Sequence, residues 1–178
     1  MDHPQQAREN FLRGYNCAQS VFCAFCDETG LDPEAAARLA SSFGGGLGRL
    51  RELCGALSGA ELALGMLRGY SDVSDPALKS AHYARVRLLA ERFRARNGTY
   101  LCRELLKDVQ TTPGGEPEPR TPEFYARRPC LRLVGEAAAL LDDLLRETAP
   151  ESEATGNRPA CRDKHCLSAV PRTETVES

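Results

Sequence analysis

Eight cysteines occur in this chain of 178 residues. Four of them, Cys17, Cys54, Cys102 and Cys130, share a setting, because each falls within about one turn of an expected helix start. Unpaired backbone N–H groups and the helix dipole favour negative charge there, so a thiol so placed is expected to ionise more readily. The thiolate is both the nucleophilic and the metal-binding form of cysteine. Arg127 and Arg128, just before Cys130, are expected to push the same way.

Two chemistries follow if the four thiols converge. A four-thiolate site could hold an iron–sulfur cluster or a zinc ion, since proximity in space is what matters. Alternatively, the thiols could cycle between dithiol and disulfide. The familiar zinc modules are not expected, because they use paired C-x2-C knuckles and these cysteines come from four separate helices.

The other candidates are weaker sites by composition. Cys23 and Cys26 form a C-x-x-C inside a helix, without the βαβ surroundings of a thioredoxin motif, and read as small core residues. Cys161 and Cys166, with His165, lack the second ligand pair of a zinc module. His82 could ligate a metal or move a proton, but a lone histidine on an apolar helix face reads as a partly buried core residue. Glu61 could exchange a proton with a thiol near Cys54; as a residue beside the apolar stripe it reads as a solvated face.

The elements that must position these thiols are helical. Pro4 opens a helix over 4–13, and Asn16 caps the next, which carries Cys17 in its first turn and ends at Gly30. Asp32-Pro33-Glu34 opens a helix through Phe43. The run Gly44–Gly59, GGGLGRLRELCGALSG, is a glycine loop leading into a helix expected to start near Glu52 and close at Gly69. Leu53, Leu57, Ala60, Leu64 and Leu67 give that helix a core stripe. The loop follows a helix and lacks a Gly-Lys-Ser/Thr ending, which excludes a phosphate loop.

Asp75-Pro76 opens the longest helix, to about Asn97, with Leu78, Val86, Leu89 and Phe93 as its stripe. Thr99 is a candidate cap for a helix from Tyr100 to Leu106. Residues 107–123 read as an exposed loop. Pro129 and Cys130 open the last helix, which runs to about Glu147 with Val134, Ala137, Leu141 and Leu144 inward. No β-branched run alternates with period two. The expected fold is all-α: an irregular bundle of about six helices over 1–148, followed by a disordered polar tail over 149–178.

The motif Cys54-Gly55-Ala56-Leu57-Ser58-Gly59 fits CGAxxG. Phe43-Gly44-Gly45-Gly46 precedes it, Gly14-Tyr15-Asn16-Cys17-Ala18 lies upstream, and Cys102 and Cys130 follow. This arrangement, over roughly residues 7–146, resembles the C_GCAxxG_C_C family of redox-active proteins with four characteristic cysteines. A related domain occurs in split-Soret cytochrome c proteins. The resemblance implies a redox or electron-transfer role for Cys17, Cys54, Cys102 and Cys130. Haem attachment does not carry over, because the chain has no C-x-x-C-H.

Bulk properties bound the rest. The net charge of −2 and pI near 6.0 give no electrostatic reason to expect nucleic acid. No apolar run approaches the ~20 residues of a membrane span, and the polar start MDHPQQAREN carries no secretory signal, so a cytoplasmic location is expected. The expected function is redox or electron transfer through the four cysteines, with an unidentified redox protein as partner and a homodimer compatible with the sequence. The alternative is a structural zinc-binding adaptor or regulatory module without redox activity.

Overall fold

The helix-start signals in the sequence become real caps. In the computed structural model, which describes residues 2–112 and 114–148, Asp2 caps α1 (His3–Leu12) by accepting the Gln5 amide, with a proline in the first turn. Asn16 caps α2 (Cys17–Phe22) in a reciprocal box with Gln19. A 3-10 turn at Cys23–Phe25 leads into α3 (Cys26–Thr29), which stops at left-handed Gly30. Asp32 caps α4 (Pro33–Ala40), and a second 3-10 turn, Ser41–Phe43, completes the segment expected as one helix.

The next helix begins later than expected. α5 spans Gly55–Arg68, not from near Glu52, because residues 52–54 are held extended against 100–102. Leu53 and Leu101 form an isolated antiparallel bridge, with the Cys54 amide donating to Tyr100 O at 2.8 Å and the Cys102 amide to Glu52 O at 2.6 Å. That pairing also delays the short α7 (Cys102–Leu105). Thr99 does not cap it; its hydroxyl oxygen accepts the Leu101 amide instead. Between them lies α6 (Pro76–Asn97), capped by Asp75.

α8 (Pro122–Arg127) was not expected, since 107–123 read as loop throughout. Its signal was present: Thr121-Pro122-Glu123 repeats the cap, proline and acid of Asp32-Pro33-Glu34. α9 (Cys130–Glu147) closes the described chain. The fold is all-α, with more helical segments than the six expected because several are a single turn or little more. The tail over 149–178, with Cys161, His165 and Cys166, lies outside the described residues.

α5 and α9 form the centre. α9 packs most extensively on α1 and also meets α2, α5 and α6. Its Val134, Ala137, Leu141 and Leu144 are fully buried, as the spacing requires, and Leu57, Ala60 and Leu64 of α5 face them from the other side of the core. α2 lies so close to α5 that a Cβ on Gly59 would sit 2.4 Å from the Ala18 carbonyl oxygen. One expected core residue fails: Leu78 is 44% exposed, and α6 buries only Leu89 and Phe93 fully. Among the described residues no helix is long and apolar enough to cross a membrane.

Candidate functional site

The four cysteines meet at one place. Cys17 is the first residue of α2, Cys54 the residue before α5, Cys102 the first of α7 and Cys130 the first of α9. All four border a single void of about 20 Å³, room for one water-sized group. The Leu53–Leu101 bridge explains half of this. Side chains alternate along extended backbone, so Cys54 and Cys102 emerge on the same face, diagonally across the pairing.

Glycines hold the other elements against the sulfurs. Gly46 has φ +70°, and a Cβ there would lie 2.7 Å from the Cys102 Cβ. A Cβ on Gly55 would lie 2.8 Å from Phe43 O and 3.2 Å from the Cys17 Cβ. Within the loop from Gly44 to Cys54 the run Gly45–Arg49 and Arg51 have positive φ, so that even Leu47, Arg49 and Arg51 are left-handed. That shape turns the Arg49 and Arg51 side chains toward the thiols' cavity.

Helix-start position does not lower all four thiol pKa values. Only Cys130 is lowered, to about 7. The interaction with the Cys17 thiol is the largest influence; burial opposes it, and the charges of Arg128 and Arg120 reinforce it. The same interaction drives Cys17 well up, with burial adding to it. Cys54 is pushed up to about 12 by burial, which outweighs the nearby Ala56 and Leu57 amides. Burial also raises Cys102, against the pull of Arg51. Desolvation thus overrides the helix end at Cys54 and Cys102, while at Cys17 the Cys130 interaction does so with burial adding to it. Arg127 was expected to act on Cys130 but is exposed; Arg120, distant in sequence, acts instead.

A second, larger cavity of about 270 Å³ opens beside the void and reaches Cys17, Cys102 and Cys130. The loop expected to be merely exposed contributes Glu118 and Arg120 to its wall. Glu118 Oε1 lies 2.5 Å from Arg128 Nη2, 3.5 Å from Arg49 and 3.9 Å from Arg51. Burial works to raise the Glu118 carboxyl, but Arg128, the Thr112 amide and Arg49 together hold it below its ordinary range. Arg120 donates to Tyr15 O and lies over the Phe11 and Phe124 rings. Neither Glu118 nor Arg120 carried a local motif, so no sequence signal pointed to them.

The matching family profile is described as "Putative redox-active protein (C_GCAxxG_C_C)" and covers residues 15–144. This chain belongs to that family. At the corresponding motif the chain reads Cys54-Gly55-Ala56-Leu57-Ser58-Gly59, with the first two residues in the reverse order to the GCAxxG of the family name. No curated protein and no solved structure matches the chain.

The remaining candidates lie apart from this centre. Cys23 and Cys26 are half-buried, and burial raises both thiols. His82 packs edge-on against Tyr70, with ring centroids 5.9 Å apart. Glu61 is not a solvated residue: burial raises its carboxyl to about 7, and it is not among the main influences on Cys54. One histidine the sequence reading passed over is structural. His3 is buried, stacks on Phe25 and bonds Asp142 at 2.7 Å.

Four thiols border the small void, yet among the described residues no three His, Cys, Asp or Glu side chains converge as ligands.

Proposed function

We propose that the protein is a thiol–disulfide redox protein in which Cys130 is the reactive thiolate and Cys17 its resolving partner. The supporting observation is that Cys17 and Cys130 border one small void, where their interaction lowers one thiol and raises the other. A thiol whose pKa is near neutral, with a second thiol on the same void, is the arrangement thiol–disulfide exchange requires. Oxidation joins Cys17 Sγ to Cys130 Sγ, releases two protons and passes two electrons to an acceptor disulfide on a partner protein. Cys54 and Cys102 border the same void but stay protonated near neutral pH, and they serve as its wall. A reducing compartment, the cytosol, would maintain the dithiol.

Mild oxidation of the reduced protein with diamide tests this by mass spectrometry. The expected product has lost two hydrogens, and peptide mapping joins Cys17 to Cys130. A bond mapped to Cys54 or Cys102, with Cys17 still alkylatable, overturns the assignment.

One observation favours a second reading, a metal-stapled module without redox activity: all four thiols border one void. Stoichiometric zinc or iron in anaerobically purified protein, together with inertness to diamide, selects that reading over the first.

A further inference from the structure

The walls of the larger cavity carry opposite chemistries. Cys17 and Cys130 form part of one side; Arg49, Arg51, Arg120 and Arg128 contribute guanidinium groups around them. Three of those four share the one carboxylate oxygen of Glu118. Four positive groups therefore face one carboxylate and one thiolate, which leaves positive charge unmatched in a partly enclosed space. Low-dielectric walls concentrate such a field on whatever enters.

The guanidinium donors are also incompletely used. Arg128 has a side chain only 6% exposed, and its Nε is buried without a hydrogen-bond partner. Arg49 Nε is in the same condition, although its Nη2 donates to Thr112 O at 2.9 Å. A buried N–H without an acceptor is costly, and a planar guanidinium is the group best matched to a carboxylate or phosphate.

We propose, resting on the dithiol reading above, that this cavity admits a small disulfide bearing a carboxylate or phosphate group, held by the arginines with its sulfurs against Cys130. The Cys130 thiolate attacks one substrate sulfur, forming a mixed disulfide and breaking the substrate S–S bond. The first thiolate leaves and takes up a proton. Cys17 then gives up its proton and attacks Cys130 Sγ, expelling the second thiolate, which is protonated in turn. The substrate disulfide gains two electrons and becomes two thiols; the protein dithiol loses two and becomes the Cys17–Cys130 disulfide. The same guanidinium groups favour both departing thiolates.

The test uses the reduced full chain and size-matched disulfides: dithiodiglycolate (two carboxylates), hydroxyethyl disulfide (neutral) and cystamine (cationic). Pantethine and its bisphosphate form a second pair, which separates phosphate from carboxylate as the favoured group. Each rate is divided by that of free dithiothreitol with the same disulfide. At low salt an anionic probe is expected to exceed its neutral counterpart by about tenfold, with cystamine slowest. The preference shrinks as salt rises, and Arg49→Gln reduces it further. Normalised rates that are equal, or that favour cystamine, overturn the inference while leaving the dithiol reading intact. Inertness toward every disulfide, with no Cys17–Cys130 bond after diamide, overturns both.

Discussion

Cys17 and Cys130 each open a helix onto the same small void, and their interaction there makes them chemically unequal. Two thiols in identical surroundings would share their proton with no preference. Here Arg128 and Arg120 lie on the Cys130 side of the pair, so the negative charge settles there.

Alkylation should read that asymmetry directly. Cys130 is expected to react with iodoacetamide along a profile centred near pH 7, because its pKa is lowered to about 7. Cys54, pushed up to about 12, stays unmodified in the folded protein. Cys17→Ala removes the largest lowering influence on Cys130 and leaves burial in place, so the midpoint moves upward. Peptide-resolved mass spectrometry across pH 5.5–9.5, a window of about two units either side of 7.5, gives both midpoints. An unchanged midpoint in Cys17→Ala would show that the arginines alone stabilise the thiolate.

Two glycines of α5 should behave in opposite ways. Gly59→Ala places a methyl 2.4 Å from the Ala18 carbonyl oxygen, which is backbone and cannot rotate away. The cost of separating α2 from α5 is about 1–3 kcal/mol. Gly65→Ala, in the same helix, meets nothing within 4 Å. That substitution should stabilise by about 0.5–1 kcal/mol through helix propensity alone. Urea unfolding of the two variants checks the signs.

How these parts related to sequence follows from the range over which each signal acts. Caps such as Asn16, Asp32 and Asp75 use their own next few amides, and they were legible. So was the apolar stripe of α9, because period alone determines its buried side. The late start of α5 was not, since it depends on Leu53 finding Leu101, a pairing between distant segments. Thiol acidity failed for a related reason: helix-start position is local, whereas the desolvation that overrides it comes from the packed neighbours. Glu118 lay in a segment whose prolines and glycines marked it only as loop, and its three arginine partners are set by tertiary structure.

Metal removal offers a separate discrimination. No three ligating side chains converge among the described residues, so chelation with dipicolinate should leave the thermal midpoint of the reduced protein unchanged. A fall on chelation, restored by added zinc, would instead mean that the thiols close around an ion and that folding is linked to its binding.

Between pH 4.5 and 7 two groups with raised pKa values act on stability in one direction. The Glu61 carboxyl rises from an ordinary 4.5 to about 7 in the folded chain because burial disfavours its charge. The folded state therefore holds a proton that the unfolded state has lost between those values, and stability must fall as pH rises from 4.5 to 7. His3 acts in the same direction further up: its hydrogen bond to Asp142 raises its pKa above 6.5, against burial, with the charges of Asp142 and Asp27 assisting. Its contribution is complete below 6.5 and is lost as pH climbs through the folded value. Above about pH 7 the lowered Cys130 works in the opposite sense, so the clean window for Glu61 lies below neutrality. Glu61→Gln, neutral at every pH, is expected to flatten the urea-midpoint profile between pH 4.5 and 7. Relative to the wild type it should gain on the order of 2 kcal/mol at the upper end. A profile in Glu61→Gln that keeps the wild-type slope would assign that slope to His3 and its carboxylate partners, and His3→Gln would then remove it.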